Sequence, residues 1–262
     1  MKKYFLIGIY FLCISLCSCK EEKKENKKPV KKGIVLDDPN MPDSIREINI
    51  DSLADRGDYK NAVGQLDLLL AKNPDNPEWL YKKAMALEQM EDTIQAITFY
   101  EKAILTAGNF PEASLKLAII FAEQGSNKSL DICNSLLKNP SAFSLRSEIL
   151  YTTGIYFIRV NQSDRAIQTF DQLIKEDYTY LDAYLEKGIL LFYQNKYAEA
   201  RNVFEKSTSV KNTFADGYYW TAKCDERMNN KTEAIDNYKR SIALDKGFTE
   251  AKEALARLES NQ

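Results

Sequence analysis

The sequence predicts an all-α fold of stacked antiparallel helical hairpins, about six of them, closed at the C-terminal end by one capping helix. Three observations carry this reading. Ala62, Ala96, Leu130, Ala166, Ala200 and Ala234 are separated by 34, 34, 36, 34 and 34 residues, and a fixed period of this length marks a repeat architecture. Within each period apolar residues fall three and four apart, the pattern of one face of an α-helix. The 262 residues hold only ten Gly and seven Pro, about half the usual share, and so few turn formers disfavour a sandwich or a barrel.

Composition narrows the chemistry. Hydrophobic residues make up 44% and charged residues 28%, a balance that supports a packed core. A net charge of −2 supplies no basic excess for nucleic acid. There is no histidine, which removes the commonest general base and metal ligand and with them Ser-His-Asp, Cys-His and His-ligated metal chemistry. No Gly-rich phosphate loop and no CxxC is present. Carboxylates are spread over helical faces rather than set as partners across a cleft. The chain therefore reads as non-enzymatic, with no cofactor, metal or nucleic acid. Without histidine no unperturbed side chain titrates between pH 5 and 8, so partner binding is expected to be nearly flat there.

The elements follow in chain order. Lys2-Lys3 precedes an apolar run from Tyr4 to Leu16. The run is too short to span a bilayer, which takes about 20 residues. A charged start before a short apolar core marks a signal peptide, residues 1–18. Its end, Leu16-Cys17-Ser18-Cys19, resembles the lipobox of bacterial lipoproteins. That resemblance implies that Cys19 becomes the first mature residue, carries acyl chains such as palmitate, and anchors the protein in the cell envelope; several acyl chains make a stable anchor. Residues 19–42 then form a Lys-rich tether, and its 23 residues from Lys20 to Pro42 reach roughly 25–30 Å as a flexible coil. Lys20-Glu21-Glu22 resembles signals that send some lipoproteins to the outer face of the cell, and reads equally as a polar spacer. The absence of Asp beside Cys19 argues, by the same resemblance, for the outer membrane.

The repeat units run 43–76, 77–110, 111–146, 147–180, 181–214 and 215–248, with a cap at 249–262. In each, a residue twelve before the alanine row is mostly small: Ile50, Ala84, Ala118, Gly154, Gly188 and Ala222. Four after it stand Leu66, Tyr100, Asn134, Phe170, Phe204 and Tyr238. This order of small, small and large resembles the tetratricopeptide repeat. The resemblance implies two antiparallel helices per unit, a superhelical α-solenoid, and a concave groove lined by the first helices. Gly154 and Gly188 are expected where paired helices approach closely. Asn76-Pro77-Glu78 reads as an N-cap, a proline at the first helical position and a first-turn acid, and Asp58 and Asp92 precede second helices in the same way. Unit three departs, with Leu130 and Asn134 at the small and aromatic places and two extra residues near Pro140. Unit one has Ile50 at its small place. Cys133 and Cys224 read as packed thiols, too far apart in the stack to pair. Thr249–Leu258 has an apolar side and a charged side, as a closing helix should.

A candidate partner-binding groove can be named from the resemblance. Fifth places on the first helices hold Tyr81, Leu115, Tyr151, Leu185 and Tyr219, and ninth places hold Met85, Ile119, Ile155, Ile189 and Lys223. The two rows lie one turn apart on a single helical face, and Phe192 and Trp220 extend its far end. Together they are expected to form an exposed apolar stripe for a protein or peptide partner, or else to pack between neighbouring helices. A row of first-turn acids, Glu78, Glu112, Glu148, Asp182 and Asp216, complements the helix dipoles. The expected function is a membrane-anchored scaffold or adaptor of an envelope complex, the alternative being a surface lipoprotein that captures a polysaccharide or a host protein.

Overall fold

The computed structural model describes residues 41–260, which form thirteen α-helices and one 3-10 turn with no strand among them. The signal segment, Cys19 and nearly all of the tether lie outside the described residues. Unit one pairs α1 (Asp43–Asp55) with α2 (Tyr59–Lys72), and unit two pairs α3 (Pro77–Gln89) with α4 (Thr93–Ala107). Unit three pairs α5 (Pro111–Glu123) with α6 (Asn127–Lys138), followed by the 3-10 turn Pro140–Leu145. Units four to six pair α7 (Arg146–Arg159) with α8 (Ser163–Glu176), α9 (Leu181–Tyr193) with α10 (Tyr197–Val210), and α11 (Ala215–Arg227) with α12 (Lys231–Leu244). Helix α13 (Thr249–Ser260) closes the stack. Each helix packs on its successor, and α5 also packs on α7 and α9 on α11, so first helices share one side of the molecule. No helix among the described residues is long and apolar enough to cross a membrane.

Local chemistry sets the boundaries. The Asn76 side chain accepts from the Trp79 amide at 3.1 Å, and Asp58 and Asp92 accept from Asn61 and Gln95, satisfying orphan amides of the first turn. Inside every hairpin the turn places one residue in the left-handed region: Gly57, Glu91, Gly125, Asn161, Asn195 and Asn229. These share the fifteenth place of their units, and Gly and Asn tolerate that conformation best. Glu91 is the exception.

Between the two helices of a unit, one small residue faces one large one. A Cβ on Gly154 would lie 2.4 Å from the ring of Phe170, and one on Gly188 would lie 2.4 Å from the ring of Phe204. Each glycine thus lies where the paired helices touch, as expected, and what it receives from the second helix is an aromatic ring. Where the small residue is Ala84 or Ala222, the large one is tyrosine. Tyr100 then donates to Glu88 at 2.6 Å and Tyr238 to Glu226 at 2.5 Å. Unit one fills the same space with Ile50 and Leu66, both buried.

Unit three resolves its departures by rotation. Ser129 and Cys133 are buried, whereas Leu130 is half-buried and Asn134 exposed. The Ser129 amide donates to the carbonyl three residues back, where Ala96 and Ala166 donate four back. This tighter start turns α6 by one residue, about 100°, and brings serine and cysteine to the places that Leu130 and Asn134 were expected to fill. The Ser129 hydroxyl donates to the Ala118 carbonyl at 2.8 Å, so no buried polar group is stranded. The two extra residues are absorbed in the 3-10 turn, which buries Ala142 and is capped by the Asn139 side chain on the Ser141 amide at 3.0 Å.

Candidate partner-binding groove

The fifth-place tyrosines prove to be part of the packing of each hairpin. Tyr81 lies 5.8 Å from Tyr100 and 5.0 Å from Phe110, Tyr151 lies 5.9 Å from Phe170 and 5.3 Å from Tyr180, and Tyr219 lies 5.8 Å from Tyr238 and 4.7 Å from Phe248. All are ring-centroid distances in the range where aromatic pairs attract. Three rings therefore close units two, four and six, and the third comes from the last residue of the unit. Phe110, Tyr180 and Phe248 went unnoticed in the sequence, although they occur in the same units as the fifth-place tyrosines. Leu115, Leu185 and Phe192 are buried, each 6% exposed. The expected continuous exposed stripe is thus corrected. A fifth-place side chain sits against the second helix and the unit's end, and its ring or branch is largely covered.

What stays accessible is the ninth-place row. Met85 is 38% exposed, and Ile119, Ile155 and Ile189 are half-buried on successive first helices. Trp220 and Lys223 continue this row, half-buried, on α11. There Lys223 Nζ stands 4.8 Å from the Trp220 ring and 5.6 Å from those of Phe192 and Tyr219, and Arg227 stands 4.6 Å from the Tyr197 ring. These are cation–π distances. Burial, with Arg257 and Arg227 nearby, draws the Lys223 ammonium below its usual range against the pull of Glu226. A cavity of about 530 Å³ opens elsewhere, on the second-helix side between α4 and α6. It is lined by apolar residues such as Ile104, Phe110 and Leu136 and holds none of the expected groove residues.

The row of acids Glu78, Glu112, Glu148, Asp182 and Asp216 occupies first turns, where the helix dipole favours them. Among the described residues no group of three or more acidic or sulfur ligands is placed to hold a metal. Glu186 on α9 is different. Burial first, and Asp182 one turn away second, push its carboxyl up to about 7, and it lies close enough to Tyr151 to raise that phenol further. Glu186 therefore titrates within the range of pH 5 to 8 in which no unperturbed side chain of this chain does. Because its folded value lies above the unfolded one of about 4.3, the contribution of Glu186 to stability is fully present below about pH 4.3 and is lost as pH rises through about 7. The loss reaches at most about 4 kcal/mol, since each tenfold change in proton affinity is worth about 1.4 kcal/mol. Glu186→Gln should remove this decline, and melting temperatures measured from pH 4 to 8 for both proteins check it. An equal slope in the variant would be the contrary result.

A family model for the tetratricopeptide repeat matches residues 49–111 and 151–209. Those two stretches carry tetratricopeptide repeats. The interval left between the two matches holds most of unit three, where α6 is rotated. Among solved structures, PilW, a type IV pilus biogenesis factor, superposes with a TM-score of 0.69 at 14% identity, covering 83% of this chain and 99% of that one. Pseudomonas aeruginosa pilF gives 0.62 at 17% identity, covering 82% and 98%. A tetratricopeptide protein from Parabacteroides merdae gives 0.62 at 16% identity, covering 84% and 86%. At these identities the likeness is one of fold, that of the tetratricopeptide solenoid. No curated protein matches the sequence.

Proposed function

We propose that the protein is a lipid-anchored scaffold of the bacterial cell envelope that holds a partner's peptide or helix against its first helices. One observation carries this reading. Met85, Ile119, Ile155 and Ile189 set one partly exposed apolar side chain on each of four successive first helices, and the row ends at the ring-supported Lys223. A preformed apolar row with a charged end suits a segment with several side-chain anchors, and binding without reordering of the receptor saves entropy. The resemblance of Leu16 to Cys19 to a lipobox supports the anchor, and acylated Cys19 is read as fixing the protein to the outer membrane. PilW is described as a pilus biogenesis factor and YrrB, another structure of this fold, as having an unusual peptide-binding site. These descriptions support testing envelope-assembly partners first.

Ile155→Glu combined with Ile189→Glu should reduce partner capture from detergent-solubilised envelopes at least tenfold. Both side chains also rest against the core beneath them, so capture is compared at a temperature at which melting curves show the double variant folded. Full capture by the folded double variant would exclude this row. The tyrosines are unsuited to the test, because truncating them removes hairpin packing as well. Cys19→Ala, followed by membrane fractionation, tests the anchor separately: the wild type should pellet with membranes and the variant should not.

A further inference from the structure

The first unit exposes a face whose third place, in every later unit, packs on the unit before it. Trp79 donates to Glu47 at 2.6 Å, and Ala113, Ile149 and Ala183 are each 0% exposed. A Cβ on Gly217 would lie 2.7 Å from Ser207 and Thr208 of the preceding unit. In unit two the sixth and twenty-sixth places face the same way: Lys82 pairs with Asp51 at 2.6 Å, and Lys102 donates to the Pro74 carbonyl at 3.0 Å. In unit one these three places hold Ile45, Ile48 and Leu68, which are 49%, 68% and 45% exposed. At the other end α13 turns Lys252, Glu253, Arg257 and Glu259 to solvent, the polar outer face that a terminal cap needs. The N-terminal end has an apolar face instead.

We propose that a second copy of this chain covers that face, in a two-fold pair joined through Ile45, Ile48 and Leu68. The face has the form of a repeat-to-repeat contact, so the complementary object is a helical hairpin. The 21 residues between Cys19 and Met41 are fewer than the 34 of one unit and are rich in lysine, whereas each second copy brings a hairpin. A two-fold contact sets like residues near one another, and this face tolerates that: Ile45, Ile48, Ser52 and Leu68 carry no charge. Asp43 on its rim is already paired with Lys72 at 2.7 Å. Closure of the opposite end by α13 limits association to the pair.

The test uses the full chain extracted in mild detergent. Sedimentation should give twice the chain mass after correction for detergent. Ile48→Cys, oxidised with copper–phenanthroline, should give a disulfide-linked dimer that the wild type does not form, since Cys133 and Cys224 are buried and, on the lipoprotein reading proposed above, Cys13 and Cys17 leave with the signal and Cys19 is acylated. Ile45→Glu with Leu68→Glu should weaken self-association at least tenfold with little change in melting, because both side chains are half-exposed already. A wild type that is monomeric at tens of micromolar, or a dimer unaffected by the two glutamates, would overturn the proposal. The groove variant Ile155→Glu/Ile189→Glu should dimerise normally, so failure of the groove reading and failure of this one are separable.

Discussion

Gly188→Ala is expected to cost about 2–4 kcal/mol, and Gly188→Leu to prevent stable folding, in the upper range for overpacked cores. The added Cβ would stand 2.4 Å from Cε1 and 2.5 Å from Cζ of Phe204, and Phe204 is fully buried. The penalty should be strongly coupled to its partner. In a Phe204→Leu background the ring edge is gone, so Gly188→Ala should become nearly neutral, a coupling of about 1–3 kcal/mol in the double-mutant cycle, of the order seen for residues in contact. Urea denaturation of the four proteins measures this, and additive effects would refute the assignment of Gly188 as the seat of that ring. Units two and six show the other solution, alanine beneath a tyrosine that reaches a glutamate.

Arg201→Met is expected to be similarly damaging, about 3–5 kcal/mol. Asp225 is fully buried and accepts from Arg201 Nε at 2.7 Å and from Asn237 at 3.0 Å. Removing the guanidinium leaves a desolvated carboxylate with one neutral donor. The reverse change should be milder: Arg201 is about a third exposed and also meets Glu205 at 2.9 Å, so after Asp225→Asn it remains hydrated. The double variant Arg201→Met/Asp225→Leu should regain much of the lost stability, because no buried charge remains. Thermal melts of the three variants decide it. Equal losses in all three would mean that the pair acts by shape alone.

The fold was legible because its information is periodic. Small and large apolar residues at fixed offsets, caps such as Asn76 and Asp92, and the charged outer side of α13 are local signals, and each was read from neighbouring residues. What escaped were relations between helices. Nothing in the spacing told whether Gly188 faced backbone or a ring. The rotation of α6 was hidden because Leu130 and Asn134 keep the period while the helix start, one hydrogen bond tighter, does not. In the candidate groove the ninth-place row was legible from helical periodicity. Whether the fifth-place row was exposed or packed stayed open in the sequence, because its cover comes from the end of the unit, 29 residues later. Glu186 was missed for a related reason: its altered acidity comes from burial in the folded chain, which sequence spacing does not record.

Because each helix packs on its immediate successor and at most reaches the next unit, the chain never has to bring distant segments together in order to fold. Every contact that holds a hairpin shut closes a loop of a few dozen residues or fewer. The entropic barrier to each step is correspondingly low, and chains with such local contacts fold quickly for their size. A hairpin can be complete before the next one has left the ribosome. The order of assembly is then set by the order of delivery. A protein built this way emerges ready to receive a partner from its first units onward, and the closing helix is the last part of it to become necessary.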